Sequence, residues 1–507
     1  MNPVNLAFFS KIRAPLLFSS LILFILSFLG PEGTPIKGLI YNLDFFELFN
    51  VLSSSSESIF RTPNTILRFT VFSISLFFIF ICYLIHTDNS LPKHNDNNDL
   101  YSILVLLFIA TNIITANIAN ILYILIIILS LYYFIKYKTF GLSLPEKTLL
   151  GLNFSLFFFS VYSASIHDAN IREIDVYFRF LLAIPLYLFI RSIDINIDKV
   201  INFIHIASIL SGVFALYFAF FDNQSRVYGF TSTATTYGNI SFLFALLSLI
   251  TFFYLKKNNK NIVISLLSIV FAIMAWSLTN NRANLFSLIF VFIIFLHPII
   301  RVKLDIYFKQ ILLFTIFILL VIWQSGTLSR ILSGYDDIMT INSHENIETS
   351  WKDTGSIKPR LIIWQASLNM IHKSPIIGIG LDNFNIELEN QIINDHIPMI
   401  RKSDMNQSGG FNHAHNQYLD SFAKTGLFGF ILLVIYLISY FMYFYIHLKK
   451  SSDESHLIAT LGLITVFIYI FNMFSHSIFS HHQSTLFFIF ILTMFSAIIS
   501  RNKLSKL

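Results

Sequence analysis

Apolar positions in this 507-residue chain come in long blocks, nearly free of charge and separated by short polar segments, instead of in the alternation of strands. A helix needs about 20 apolar residues to cross the hydrocarbon layer of a bilayer. Fourteen blocks approach that length, near 14–30, 65–86, 100–117, 119–137, 147–166, 176–193, 200–221, 237–255, 261–278, 284–300, 309–325, 426–448, 456–475 and 483–500. Asn117 and Asn120 mark a tight turn or a kink between the third and fourth blocks, so the count is good to about two. Two polar stretches interrupt the series, 31–64 and, far longer, 326–425.

The pattern predicts an all-α polytopic membrane protein of about 12–14 transmembrane helices, with a large outer loop containing surface helices. Residues 1–325 are expected to form the first part of the bundle, 326–425 a catalytic loop and 426–507 the rest of the bundle. With the N-terminus in the cytoplasm, nineteen Lys and Arg residues fall in cytoplasmic segments, and seven fall on the other side outside the long loop. This asymmetry predicts both termini in the cytoplasm and the long loop on the far side, the periplasm in a bacterium.

Composition agrees: 55% of residues are hydrophobic and 12% charged, against about 25% charged in an average soluble domain. The net charge of +6 is read as cytoplasmic loop charge and not as a nucleic-acid surface. Cys82 is the only cysteine, which excludes a disulfide framework and a thiolate metal cluster. The run 14–30 follows Lys11 and Arg13 without a small-x-small cleavage site, so it is expected to stay as the first helix.

The polar residues that stand out gather on the far side. Arg226 lies in a hydroxyl- and glycine-rich turn, Arg282 in the short turn L-T-N-N-R-A-N, and Arg360 at the head of an amphipathic stretch whose Trp364 and Leu368 share one helical face. A guanidinium keeps its charge and binds phosphate bidentately, so converging arginines suit a pyrophosphate. Snorkelling to lipid headgroups is the competing reading. Arg179 sits near the outer end of the sixth block, either as a substrate group or paired with Asp175 or Glu173.

In H-A-H-N, His413 and His415 are expected to project to one side of an extended segment. With no thiolate and no H-E-x-x-H helix, no metal site and no cofactor are expected. A histidine near neutral pKa beside a sugar hydroxyl suits a general base, with Asn416 holding the imidazole or the acceptor. Asp382, Glu387, Glu389 and Asp420 stand as alternative bases. His476, His481 and His482 either line the same cavity or sit at the interface. Gly378 and Gly380 after Pro375 predict a sharp reversal that brings the surface helix back over the bundle.

Taken in order, these pieces resemble the O-antigen ligase and polymerase superfamily over about Arg226 to Phe430. The resemblance rests on R-x-x-G with a downstream glycine (Arg226, Gly229, Gly238), on the arginine turn (Arg282), on R-x-x-x-W with P-x-x-G-x-G (Arg360, Trp364, Pro375, Gly378, Gly380), and on H-x-H-N-x-x-L followed by G-x-x-G (His413, His415, Asn416, Leu419, Gly426, Gly429). It implies a metal-independent, inverting glycosyl transfer at the periplasmic face of the bacterial inner membrane, from a glycan on undecaprenyl pyrophosphate. By position, His415 would activate the acceptor hydroxyl, while Arg226 and Arg282 would hold the departing pyrophosphate. Arg360, His413, Asn416 and Arg179 are expected to contact substrate.

The leading expectation is an O-antigen ligase of lipopolysaccharide biosynthesis, which passes the polysaccharide to a lipid A core acceptor. A polymerase joining lipid-linked repeat units and a protein oligosaccharyltransferase bind the same donor and stay open. From a different class, a flippase or transporter should show paired halves with interrupted helices and ionisable groups near the midplane. Neither is visible in the sequence.

Overall fold

The computed structural model describes residues 98–113, 116–136, 141–258, 260, 262–281, 284, 287, 357–398, 411–450 and 453–504. Among the described residues the structure is all-helical, without a strand. The expected spans near 14–30, 65–86 and 309–325, that near 284–300 apart from Asn284 and Ser287, and Arg282 and Cys82 lie outside them.

The helices are α1 (Asn98–Thr111), α2 (Ala116–Lys136), α3 (Leu144–Ile166), α4 (Asp175–Ser192), α5 (Ile197–Phe220), α6 (Ala234–Lys257), α7 (Val263–Leu278), α8 (Ile357–Lys373), α9 (Phe384–Ile393), α10 (Gln417–Lys450), α11 (Asp453–Asn472) and α12 (His482–Leu504). Seven are long and apolar enough to cross a membrane: α2, α3, α5, α6, α10, α11 and α12. The chain is a multi-pass membrane protein. α1 and α7 are apolar but shorter, and α4 carries Asp175, Arg179 and Arg191 on its 18 residues.

Local chemistry sets the helix ends. The side-chain oxygen of Asn196 accepts the Asp198 N–H at the head of α5 at 2.7 Å, and Thr233 accepts the Thr236 N–H at the head of α6 at 3.1 Å. Glu146 reaches back to the Ser143 N–H at 2.7 Å to close a capping box at the start of α3.

α6 and α12 form the buried centre, while α2 and α10 carry exposed apolar stripes, on α10 through Leu427, Phe428, Ile431, Ile435, Ile438 and Met442. Such stripes suit contact with lipid. Inside the bundle several polar groups pair across helices: His205 bonds Thr251 at 2.9 Å, Ser208 bonds Ser248 at 2.8 Å, and Asn153 donates to Tyr440 at 3.0 Å.

The two ends of the bundle differ in chemistry. One carries Lys199, Lys256, Lys257, Lys260 and Arg501, with surface ion pairs to Asp99, Asp453, Asp198 and Asp194. Just inside it, Arg191 meets Glu146 at 2.8 Å with both side chains buried. Ser500 and Tyr187 also donate to Glu146, and Arg191 donates to the Gly141 carbonyl at 2.5 Å. This network ties α3, α4 and α12 together. At the opposite end, α8 and α9 pack on a small core of their own, which includes Ile363, Ala366, Met370, Phe384, Leu388 and Ala423.

Candidate functional site

The site at that opposite end begins with a break in α10. Gly426 has φ 68° and ψ −168° in the middle of the helix. In an unbroken helix the carbonyls of Ala423 and Lys424 would accept from the next turn. Instead they accept the N–H groups of Ile379 and Gly380 at 2.9 and 3.0 Å, while Leu427 N–H donates to the Pro375 carbonyl at 2.9 Å. The P-x-x-G-x-G loop therefore replaces the bonds that the break removes.

Two left-handed glycines make this fit possible. A Cβ at Gly378 (φ 75°) would run into the Lys424 backbone, and one at Gly426 into the Ile376 backbone. The loop is further pinned by His167, whose Nε2 lies 3.0 Å from the Gly378 carbonyl, and by Asp382, which accepts the Asn170 N–H at 2.9 Å.

The first turn of α10 holds the histidine segment. Asn416 is its N-cap, its side-chain oxygen accepting the Tyr418 and Leu419 N–H groups at 3.0 and 3.2 Å. Gln417 donates its N–H to the Met473 carbonyl and accepts the Phe479 N–H, both at 2.7 Å, which joins α10 to the turn between α11 and α12.

His413 and His415 do not sit on an extended segment, since His415 has φ 51°. The H-A-H turn is held from both sides: the Trp364 indole donates to the Ala414 carbonyl at 3.0 Å, and Asp420 Oδ1 accepts the Ala414 N–H at 3.0 Å. The His415 N–H donates to His413 Nδ1 at 3.2 Å, so a neutral His413 carries its proton on Nε2.

Four imidazoles meet here. Ring centroids are 4.2 Å apart for His413 and His415, 5.3 Å for His413 and His481, and 4.6 Å for His476 and His481. All four are held uncharged at neutral pH. Burial pushes His415 down to about 4, helped by the Arg360 charge, and pushes His481 to about 4. His413 and His476 are also driven well down, chiefly by burial and then by neighbouring imidazoles. Among the described residues no group of histidines and acids has the geometry of a metal site.

Arg360, on the first turn of α8, is close enough to Arg226 for the two charges to repel: burial first, then Arg226, lowers its pKa. No described carboxylate pairs with Arg360. Arg226 lies on the exposed 221–233 loop and donates from Nε to the Thr279 carbonyl at 3.3 Å. The Val227 N–H bonds to the Leu278 carbonyl at 3.1 Å, and Asn281 donates to Asn239 at 2.8 Å. Gly238 lets the helix approach Thr279 and Asn281 closely. The loop bearing Arg226 is thus stitched to the segment that precedes Arg282.

Arg179 stands apart from this group. Its Nη2 lies 2.9 Å from His482 Nδ1 and 3.5 Å from Asp175, which is the pairing that sequence reasoning held open. Consecutive residues thus face two ways, His481 into the imidazole group and His482 toward Arg179. Of the alternative bases, Glu387 pairs with Lys373 at 2.8 Å and Asp420 is fully enclosed by donors. Gln417 and Ser480 drew no attention in the sequence, because a single Gln or Ser at a helix or turn end has no distinguishing pattern.

Residues 227–434, which span Val227, Trp364, both glycine motifs and H-x-H-N, match the O-antigen ligase family. Over this region the chain is similar to the O-antigen ligase superfamily. That superfamily comprises membrane enzymes of glycosyl transfer and covers both ligases and polymerases. An uncharacterised protein of Haemophilus influenzae is 28% identical over 393 residues, which cover 76% of this chain and 95% of the relative.

Proposed function

We propose that the protein is an O-antigen ligase, transferring a polysaccharide from undecaprenyl pyrophosphate to the lipid A core at the periplasmic face of the inner membrane. The observation that carries the reading is the H-A-H turn itself: the Trp364 indole of α8 bonds the Ala414 carbonyl, which sets Arg360, one turn earlier on that helix, near His415 and Arg226. Two like charges held near one another, Arg360 half-buried and Arg226 exposed, are stabilised by an anion between them, and a pyrophosphate supplies one.

In this reading the acceptor hydroxyl oxygen attacks the anomeric carbon as the bond to pyrophosphate breaks. The hydroxyl proton goes to His415, and the electron pair leaves with the pyrophosphate, which Arg226, Arg360 and Arg282 neutralise. His413 and Asn416 order the turn that presents His415, and Arg179 contacts the glycan at the rim. The donor brings its own leaving group, so the protein supplies mainly position and charge.

The test is deletion of the gene with analysis of lipopolysaccharide and carrier-linked glycan, followed by complementation with wild type, His415→Ala and Arg360→Ala. A bare core with long polymer retained on the carrier, rescued by wild type alone, is the expected result. A core bearing one repeat unit would assign the protein as the polymerase. Unchanged glycan profiles would reject the reading.

A further inference from the structure

The histidine turn carries a conformational cost, because a non-glycine residue in the left-handed region is held there only by its surroundings. Besides the Trp364 indole, the group that holds the turn is Asp420, whose side chain is almost fully covered, as is that of Lys424. Its Oδ1 accepts the Ala414 N–H at 3.0 Å and meets Lys424 Nζ at 3.3 Å, and its Oδ2 accepts the Ser480 hydroxyl at 3.5 Å. Ala414 lies between the two motif histidines, and Ser480 directly precedes His481. One carboxylate therefore joins both turns that bring imidazoles to the site.

Lys424 extends the connection. Its backbone carbonyl accepts the Gly380 N–H at 3.0 Å, and its ammonium lies 5.5 Å from the Phe384 ring centre. The pair thus touches the H-A-H turn, the 478–481 turn, the P-x-x-G-x-G loop and α9. A carboxylate with both oxygens engaged and no opening to solvent is poorly placed to receive a proton from a sugar hydroxyl.

We infer that the Asp420–Lys424 pair is a positioning element that fixes the H-A-H turn against the 478–481 turn, and so aims the His415 imidazole, without exchanging a proton with substrate. The inference rests on the reading of His415 as the base. The groups that face His413 and His415 are Arg360 from α8, Lys424 and Asp420 from α10, and His476 and His481 from the turn before α12. Asp420 is the carboxylate among them.

Full-length protein in proteoliposomes, supplied with a polyprenyl-pyrophosphate-linked glycan and lipid A core, separates the possibilities. Asp420→Asn combined with Lys424→Met keeps an oxygen for the Ala414 N–H while removing both charges. It is expected to stay within about 5-fold of wild-type kcat, with the acid limb of the pH profile in place. Asp420→Leu with Lys424→Met removes the oxygen and is expected to lower kcat by about 100-fold, with donor KM changed less than about 3-fold.

An equally large loss of kcat in both double variants, with the acid limb gone from the residual activity, would make Asp420 the base and overturn the inference. Losses of kcat that track the folded fraction would reduce the pair to scaffolding, which overturns it as well. A second readout needs no activity: ¹³C-histidine spectra of the same samples. The His415 resonance is expected to move in Asp420→Leu/Lys424→Met and to hold in Asp420→Asn/Lys424→Met. If wild type transfers nothing while the spectra behave so, the proposed reaction fails and the positioning role stands. If the resonance is unmoved in both, the positioning role fails by itself.

Discussion

At the scale of single residues, His415 gives the sharpest expectation. A base must be unprotonated, and with its pKa pressed down to about 4, transfer should stay level from neutral pH to about 5 and fall only as pH approaches 4. A pH–rate profile with its acid limb near 6.5 would contradict this. The sign for stability follows from the same shift. The unfolded chain binds the proton at about 6.5 and the folded one at about 4, so the stabilising contribution of His415 and His481 is complete above about 6.5 and is lost as pH falls from there toward 4. Thermal midpoints measured across that window should decline on the acid side. Gly426→Ala should destabilise by more than about 1 kcal/mol, since the left-handed backbone and the Ile376 backbone both exclude a Cβ. The glycines and histidines were visible in the sequence by their spacing. What was not visible is that the two glycine motifs touch each other, because spacing within a motif carries no information about the motif it packs against.

At the scale of elements, helix positions were legible wherever an apolar block had polar ends, as for α3, α5 and α6. The expected span 426–448 begins at the break in α10, whereas the helix that continues on the other side of Gly426 was not legible. Gln417 and Leu448 bound one apolar helix of 32 residues, about 48 Å at 1.5 Å per residue and longer than a bilayer core of about 30 Å. Only the stretch after Gly426 has the length of a single crossing. The Glu146–Arg191 pair was also hidden, since its partners lie on different helices far apart in the chain. Arg191→Met leaves the Glu146 carboxylate buried without its counter-charge and should cost about 3–5 kcal/mol. Glu146→Met combined with Arg191→Met should recover part of that loss. Unfolding midpoints in detergent would decide it, and a neutral single variant would show that the pair is not what joins α3, α4 and α12.

For the whole molecule, the lysines and arginines assigned to the cytoplasm by sequence that fall on described residues lie at one end of the bundle, and the arginine and histidine site lies at the other. Sidedness is testable with single cysteines introduced into a Cys82→Ser background. Asp395→Cys, exposed beyond α9, should react with a membrane-impermeant maleimide on spheroplasts, and Lys257→Cys only after permeabilisation. The reverse pattern would turn the protein over. Charge asymmetry carries this information because it reflects insertion and not packing, whereas the convergence of α8 with the turn before α12 depends on contacts that no single stretch of sequence encodes.

The exchange of backbone bonds between the 375–380 loop and the 423–427 break has a practical consequence. The region of α8 and α9 is not a detachable cassette: its chain completes the hydrogen bonding of a membrane helix, and that helix supplies the ceiling of its small core. Chimeras that trade glycan specificity between relatives should therefore succeed only when both strands of this splice come from the same parent, and a cut between them should yield two fragments that each lack a hydrogen-bonding surface.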